Sequence, residues 1–266
     1  MIRYENLNTT FGGLVTDWDG NVDHLKEALL KRKVLIFRDC DNKPDPQTLG
    51  PIFHHPFMPW QQEDGSYKAR YDKDWPAHEN VWHQDYSWQK DIPGIEMIEF
   101  EHGPPVGGDI LFADRHAAFN RLDDQTKDML LHTDFHHRYP YPKKLLIHWM
   151  LVRGFDRKTI REKLLQYWSV ENDVQELKAF HKGAAEAVNG EITLDLNTAF
   201  VNASYVDINN ICDVFKIPEI QIRWQYQPGD TVMWHNHLVM HYACADYWPQ
   251  EKRFTRWTYE SEKDNS

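Results

Sequence analysis

A chain of 266 residues, 41% hydrophobic and 14% aromatic with 11 Trp, carries enough apolar mass for one large folded domain and too much for a disordered polymer. Its net charge of −11 excludes the basic footprint that nonspecific nucleic-acid binding needs, and fits a protein acting on a small-molecule substrate. No run approaches the roughly 18 apolar residues of a membrane span; Met-Ile-Arg-Tyr-Glu-Asn at the start lacks an apolar signal region, and Cys40, Cys212 and Cys244 form no CxxC, which favours a reducing, cytoplasmic setting.

Gly12-Gly13-Leu-Val-Thr reads as a short strand leaving a turn. Val22 to Lys33 reads as an amphipathic helix, with Leu25, Leu29 and Leu30 on one stripe and Asn21 as its cap. Val34 to Phe37 is a buried strand, and Asp45 to Phe53 a short helix with Pro46 at its first position. Residues 54–80 are polar, aromatic and without period, so they read as one long loop of the kind that forms lids and binding surfaces. Val81 to Trp88 holds Trp82-His83-Gln84-Asp85 and reads as extended. Ile95 to Glu101 alternates Ile95/Met97/Glu99 with Glu96/Ile98/Phe100, a strand covered on both faces.

Gly103 to Asp109 is a dense turn signal, Ile110 to Ala113 a strand, and 114–122 and 124–132 helices. His136 to Pro142 reads as a loop whose adjacent His136 and His137 point apart. Asp156 to Trp168 and Asp173 to Val188 are helical patterns, forming a helical insertion at about 143–190 within a single domain spanning 1–266. Ile192 to Val206 carries β-type residues, Ile220 to Tyr226 alternates as a strand, and Thr231 to Trp234 and Phe254 to Tyr259 are the last strands. Many short strands between Gly/Pro turns predict a mainly β molecule, a sandwich or barrel with helical decoration.

The stretch richest in chemistry is His83-x-Asp85. On a strand these two side chains share a face, so one metal ion reaches both. A second His from elsewhere completes a two-His, one-carboxylate set, which leaves open positions on Fe(II). His241, in Trp234-His-Asn-His-Leu-Val-Met-His241, is the best candidate. Such a site also needs an anchor for an anionic co-substrate, and Arg253 and Arg256 offer forked guanidinium groups near His241 in sequence. Two alternatives stand beside this reading. One is a zinc hydrolase using His235, His237 and His241, which share parity on an unbroken strand. The other is a non-catalytic jelly-roll binding protein.

Four blocks, in order, resemble the TauD/TfdA family of Fe(II)- and 2-oxoglutarate-dependent dioxygenases. They are Leu29 to Asp39, Trp82-His83-Gln84-Asp85, Pro104 to Asp114, and Trp224 to Asn236 followed by His241 to Gln250 with Arg253 and Arg256. The resemblance implies a double-stranded β-helix, or jelly roll. It implies His83, Asp85 and His241 as iron ligands, 2-oxoglutarate and O2 as co-substrates, and an Arg near the last strand as anchor. The implied reaction oxidises an unactivated C–H, in most cases by hydroxylation, and releases CO2 and succinate. Related halogenases lack the carboxylate that Asp85 supplies, so halogenation is not implied.

Two departures bear on the co-substrate. Ile110 stands where the family often has a hydroxyl-bearing Thr. The family commonly has two arginines four apart; here Lys252 and Arg256 have that spacing, while Arg253 and Arg256 are three apart. Arg253 or Arg256 is the expected anchor, with Lys252 as the fallback. On the substrate side the resemblance points to His55, Met58 and Glu79, with Tyr86, Trp88 and Trp60 as aromatic walls. A carboxylate at Glu79 suggests an amine or amino-acid-type substrate. A homo-oligomer is left open.

Overall fold

The computed structural model describes residues 1–56, 58, 60–72, 80–139, 147–148, 150–151, 154–167, 178–201 and 203–260. The chain begins with β1 (Ile2–Asn6), β2 (Gly13–Trp18), α1 (Val22–Arg32), β3 (Val34–Phe37), α2 (Pro46–Phe53) and β4 (Ser66–Tyr71). It continues with β5 (Ile95–His102), β6 (Ile110–Asp114), α3 (Arg115–Asn120), α4 (Asp124–His132) and β7 (Asp134–Arg138). After α5 (Arg157–Tyr167) come β8 (Lys178–Lys182), β9 (Ala184–Glu186), β10 (Ile192–Leu194) and α6 (Ile208–Cys212). The last strands are β11 (Gln221–Trp224), β12 (Thr231–His235), β13 (Val239–Ala243) and β14 (Lys252–Tyr259).

Local chemistry sets the early elements as the sequence predicts. The Asn21 side chain accepts from the N–H groups of Asp23 and His24, and Leu25, Ala28 and Leu29 form the buried stripe of α1. Asp45 caps α2, and Pro46 occupies its first turn, where a missing N–H costs nothing.

A major sheet of seven strands runs in the order β1-β2-β3-β12-β5-β14-β4 and faces a minor sheet ordered β11-β6-β13. Among these pairs only β2–β3 is parallel. Inner-face residues of both sheets interlock in one core; Trp234 of β12 meets Phe112 of β6 at 5.5 Å between ring centroids. On the major sheet's other face, α1 and α2 pack Leu25, Leu29, Leu49 and Phe53 against Met97, Met233 and Tyr259. On the minor sheet's outer face, Ala118, Phe119, Leu130 and Phe215 cover Ala113 and Met240. Two facing sheets under helices make the mainly β, jelly-roll architecture that the turn-rich strand pattern predicts. No helix among the described residues is long and apolar enough to cross a membrane.

Several local expectations are corrected. The long loop over 54–80 contains β4, an edge strand that pairs along β14 from Lys252↔Tyr71 to Trp257↔Ser66. Tyr67, Ala69 and Tyr71 are buried while Lys68 and Arg70 are exposed, so a period of two was present in the sequence. The helix expected over 173–188 is replaced, in its described part, by β8 and β9. β8 pairs with β7, whose residues 136–138 fall in the loop expected over His136 to Pro142. Ladder bonds between distant segments override a helix-compatible Lys/Glu pattern here. Among the described residues of 192–206 only β10 is strand, and β11 starts one residue after Ile220 and ends at Trp224.

Candidate metal and co-substrate site

The His83-x-Asp85 stretch does not lie on a regular strand. His83 makes a single two-way bridge to β13, its N–H donating to the His241 carbonyl and the His241 N–H to its own, each at 3.0 Å. The chain then turns through Asp85, and Tyr86 takes φ +61°, a left-handed conformation unusual for a bulky residue. The turn is clamped by Asn236, just past β12. Its Oδ1 accepts from the Asp85 N–H at 3.2 Å, and its Nδ2 donates to the carbonyls of Asp85 and Pro93, both at 2.9 Å. Strand parity is therefore not what brings His83 and Asp85 together; a bridge, a tight turn and a buried amide do.

The ligand atoms of His83, Asp85 and His241 lie within 4.8 Å of one another. Nδ1 of His83 is 2.7 Å from the Val81 carbonyl, which can only accept, so Nδ1 carries the proton. Nε2 then presents its lone pair, 3.7 Å from Asp85 Oδ1. Nε2 of His241 is 3.0 Å from Asp85 Oδ2. Burial holds the His241 imidazole down to about 4 and hence neutral, as a metal ligand must be. Burial alone would raise the Asp85 carboxyl, but Arg256, then His241 and His83, pull it well below the usual carboxylate range. Two imidazoles and an ionised carboxylate on one side of a buried space fit a divalent ion such as Fe(II) with positions left open. The set His235, His237 and His241 is not assembled. Among the described residues the His83/Asp85/His241 group alone has three such ligands within reach, and His237 Nε2 is 3.0 Å from the Ile92 carbonyl.

Beside His241 a small cavity opens between the sheets, lined by Ile110, Tyr226, Trp234, Lys252 and Arg256 among others. Parity along β14 carries Lys252, Phe254 and Arg256 inward and Arg253 outward, where Arg253 is half exposed and pairs with Glu251 at 3.2 Å. The Lys252 ammonium donates to the Gly108 carbonyl at 2.6 Å and lies 5.0 Å from the Tyr226 ring centroid. The buried Tyr226 Oη and Trp234 Nε1 have no hydrogen-bond partner among the described residues. Ile110 lines the same cavity and offers it only an apolar surface.

Arg256 sits between two carboxylates. It donates from Nη2 to Asp85 and from Nε to Glu96 Oε2 at 2.8 Å. Glu96 is fully buried; burial raises its carboxyl to about 8, against the pull of Arg256. Around this group the aromatics close in. Trp60 stacks on Tyr86 at 6.0 Å, Trp88 meets Phe200 edge-on at 4.7 Å, and Phe200 meets His83 at 6.0 Å.

Of the residues expected on the substrate side, Met58 is buried in this wall and Tyr86 reaches Thr258 Oγ1 at 3.2 Å. His55 lies elsewhere, stacked on Tyr259 at 4.7 Å with Nδ1 2.9 Å from the Thr258 carbonyl. Its ring fills the space a Cβ would need at Gly65, itself at φ +74°. Glu79 lies outside the described residues. Asn236 and Glu96 were missed from the sequence. Glu96 did leave a signal, a carboxylate in phase with Ile98 and Phe100 on a strand covered on both faces.

A sequence model of the taurine catabolism dioxygenase TauD, TfdA family matches residues 11–259. An "Alkylsulfatase" of Acinetobacter baylyi is 26% identical over 91% of this chain and 77% of its own length. An "Alpha-ketoglutarate-dependent sulfate ester dioxygenase" of Pseudomonas putida is 23% identical over 91% of this chain and 81% of its own. Among solved structures, AAD-2 in complex with Mn(II) and N-oxalylglycine has the same fold, with a TM-score of 0.71 at 20% identity over 99% of this chain and 98% of that one.

Proposed function

This chain belongs to the TauD, TfdA family of dioxygenases, and we propose that it oxidises, by hydroxylation, an unactivated C–H of a small organic metabolite, with an amine or amino-acid-type compound as substrate. It is an Fe(II)- and 2-oxoglutarate-dependent dioxygenase: O2, 2-oxoglutarate and the substrate become CO2, succinate and the hydroxylated product. The observation that carries the reading is the convergence of His83, Asp85 and His241 within 4.8 Å beside a buried aromatic cluster.

In this reading His83, Asp85 and His241 hold the metal. Fe(II), when bound, supplies the open positions where O2 and the 2-oxo acid meet. Lys252 anchors the far carboxylate of 2-oxoglutarate by a charge-assisted hydrogen bond, with Tyr226 Oη and Trp234 Nε1 as neutral donors in reach of the same cavity. Ile110 contributes packing alone. Arg256 holds Asp85 in its ionised form and orientation, and Asn236 holds the turn beneath it. Trp60, Tyr86 and Trp88 exclude water and wall the substrate space. The names of the two curated relatives give a second reading, a sulfate ester as substrate.

The test is succinate formation from 2-oxoglutarate by the chain reconstituted with Fe(II) and supplied with candidate amines and sulfate esters. His83→Ala and Asp85→Ala are expected to abolish iron binding and turnover together. Turnover that survives either change would sink the reading.

A further inference from the structure

Two side chains that line the cavity beside His241 carry a buried polar atom without a hydrogen-bond partner among the described residues, Tyr226 with Oη and Trp234 with Nε1. They sit at different ends of it. The Trp234 ring is 5.2 Å from the His241 ring and 5.3 Å from the Arg256 guanidinium, at the metal end. The Tyr226 ring is instead 5.0 Å from the Lys252 ammonium. Lys252 and Arg256 both face inward on β14, about 13 Å apart along an extended strand, so Lys252 and Tyr226 mark the end away from the metal ligands. The register of the minor sheet agrees. Ile110 pairs with Ala243, past His241 on β13, and with Trp224, which precedes Tyr226.

Tyr226 is held in place by the fold itself. Its ring stacks on Phe100 at 4.5 Å with an interplanar angle of 14°. The turn that follows is tied to the same residue: the Gly229 N–H donates to the Phe100 carbonyl at 2.8 Å, and the Phe100 N–H to the Asp230 carbonyl at 2.9 Å. The buried Asp230 carboxylate accepts from Arg38 Nε at 2.8 Å, Trp224 Nε1 at 3.0 Å and the Gln227 N–H at 2.9 Å. A phenol fixed in this way gives up little freedom on meeting a ligand. Burial raises the Tyr226 phenol far above its ordinary range, so Oη keeps its proton and can donate it.

Lys252 supplies charge at this end but little direction. An ammonium is a point charge without the planar fork of a guanidinium, and Lys252 directs one N–H to the Gly108 carbonyl at 2.6 Å. A carboxylate presents two oxygens, and a second donor at a fixed place distinguishes it from an apolar tail. Ile110 and Phe254, on the same lining, have no side-chain donor to offer.

We propose that Tyr226 is a specificity-determining residue for the co-substrate. Its hydroxyl is the second donor to the far carboxylate of 2-oxoglutarate, beside the Lys252 ammonium, and the pair selects a 2-oxo dicarboxylate over a 2-oxo acid with an apolar tail. The proposal rests on the dioxygenase reading above and on its Lys252 anchor.

The experiment uses the full chain with Fe(II) in the absence of O2. Calorimetry compares 2-oxoglutarate with 2-oxopentanoate, which has the same carbon chain and a methyl group in place of the far carboxylate. The unsubstituted chain is expected to prefer 2-oxoglutarate by at least about 100-fold, as two charge-assisted hydrogen bonds would give. Tyr226→Phe keeps the ring and removes only Oη. It is expected to weaken 2-oxoglutarate at least about tenfold and to move 2-oxopentanoate by less than about twofold. Oη has no partner in the fold, so the denaturant midpoint of the metal-free variant should not fall; a merely structural tyrosine would lower it and shift both acids alike. Tyr226→Leu replaces Tyr226→Phe if the latter does not fold, with the same loss of preference expected. A smaller preference in the unsubstituted chain, or a variant that keeps it, overturns the proposal and leaves the dioxygenase reading standing. Failure of both acids to bind the Fe(II) form overturns that reading, and the proposal with it.

Discussion

Lys252 and Arg253 differ in what surrounds their charge. The Lys252 ammonium is buried among Tyr226, Tyr247 and Phe100, 5.0 to 5.8 Å from their ring centroids, and lines the cavity beside His241. Arg253 shares its charge with Glu251 at the surface, where solvent screens it. A charge-assisted hydrogen bond to a carboxylate is worth about 1.5–3 kcal/mol, or roughly 10- to 150-fold in affinity. Lys252→Ala should therefore weaken 2-oxoglutarate binding by about one to two orders of magnitude, and Arg253→Ala should change it by less than about twofold. Anaerobic titration of the Fe(II) form reads both. The reverse order would move the anchor to Arg253. The choice was open in the sequence because spacing alone does not say which face of β14 looks inward.

At the scale of elements, the turn that carries Asp85 is the least regular part of the site and depends on Asn236. One side-chain amide accepts from the Asp85 N–H and donates to the carbonyls of Asp85 and Pro93, tying the turn to the start of β5. Asn236→Ala leaves these buried groups without their partner, at a cost of about 2–3 kcal/mol. It should also loosen Asp85 and lower iron affinity at least about tenfold, as loss of supporting bonds around metal ligands does. Urea denaturation and iron titration measure the two effects separately; intact iron affinity would mean that the bridge to His241 suffices. Trp234-His-Asn236-His reads in sequence as a strand running into a polar turn, which it is. That the amide of Asn236 reaches across to Asp85 depends on β12 and β5 being neighbours, which no local pattern encodes.

On the scale of the whole molecule, three histidines outside the metal group carry no charge, His137 and His235 buried and His237 partly so. Burial lowers His137 and His235 to about 3 and His237 to about 4. In the unfolded chain each titrates near 6.5, so below that pH the unfolded state binds protons that the fold refuses. Their stabilising effect is complete above about pH 6.5 and declines as the pH falls toward 4, by about 1.4 kcal/mol per pH unit for each. Three together lose about 4 kcal/mol per unit, a large share of a typical 5–15 kcal/mol. The denaturant midpoint should fall steeply from pH 6.5 to 4, and a flat profile across that window would show that these groups are protonated in the fold.

The sequence by itself determined the fold class and the family, because alternating strands between Gly/Pro turns and four ordered blocks are local patterns that survive without coordinates. It also singled out His83, Asp85 and His241, since few residue types bind a metal and two of the three are near neighbours in the chain. Only the tertiary structure decided how these meet, through a single bridge and a clamped turn in place of a strand. Only it turned Lys252 inward and Arg253 outward, recruited Ser66–Tyr71 as an edge strand, and set Glu96 against Arg256. The physical reason is the same in each case: strand partners, register and burial are set by segments far apart in sequence, and the charge a side chain presents depends on the neighbours they bring.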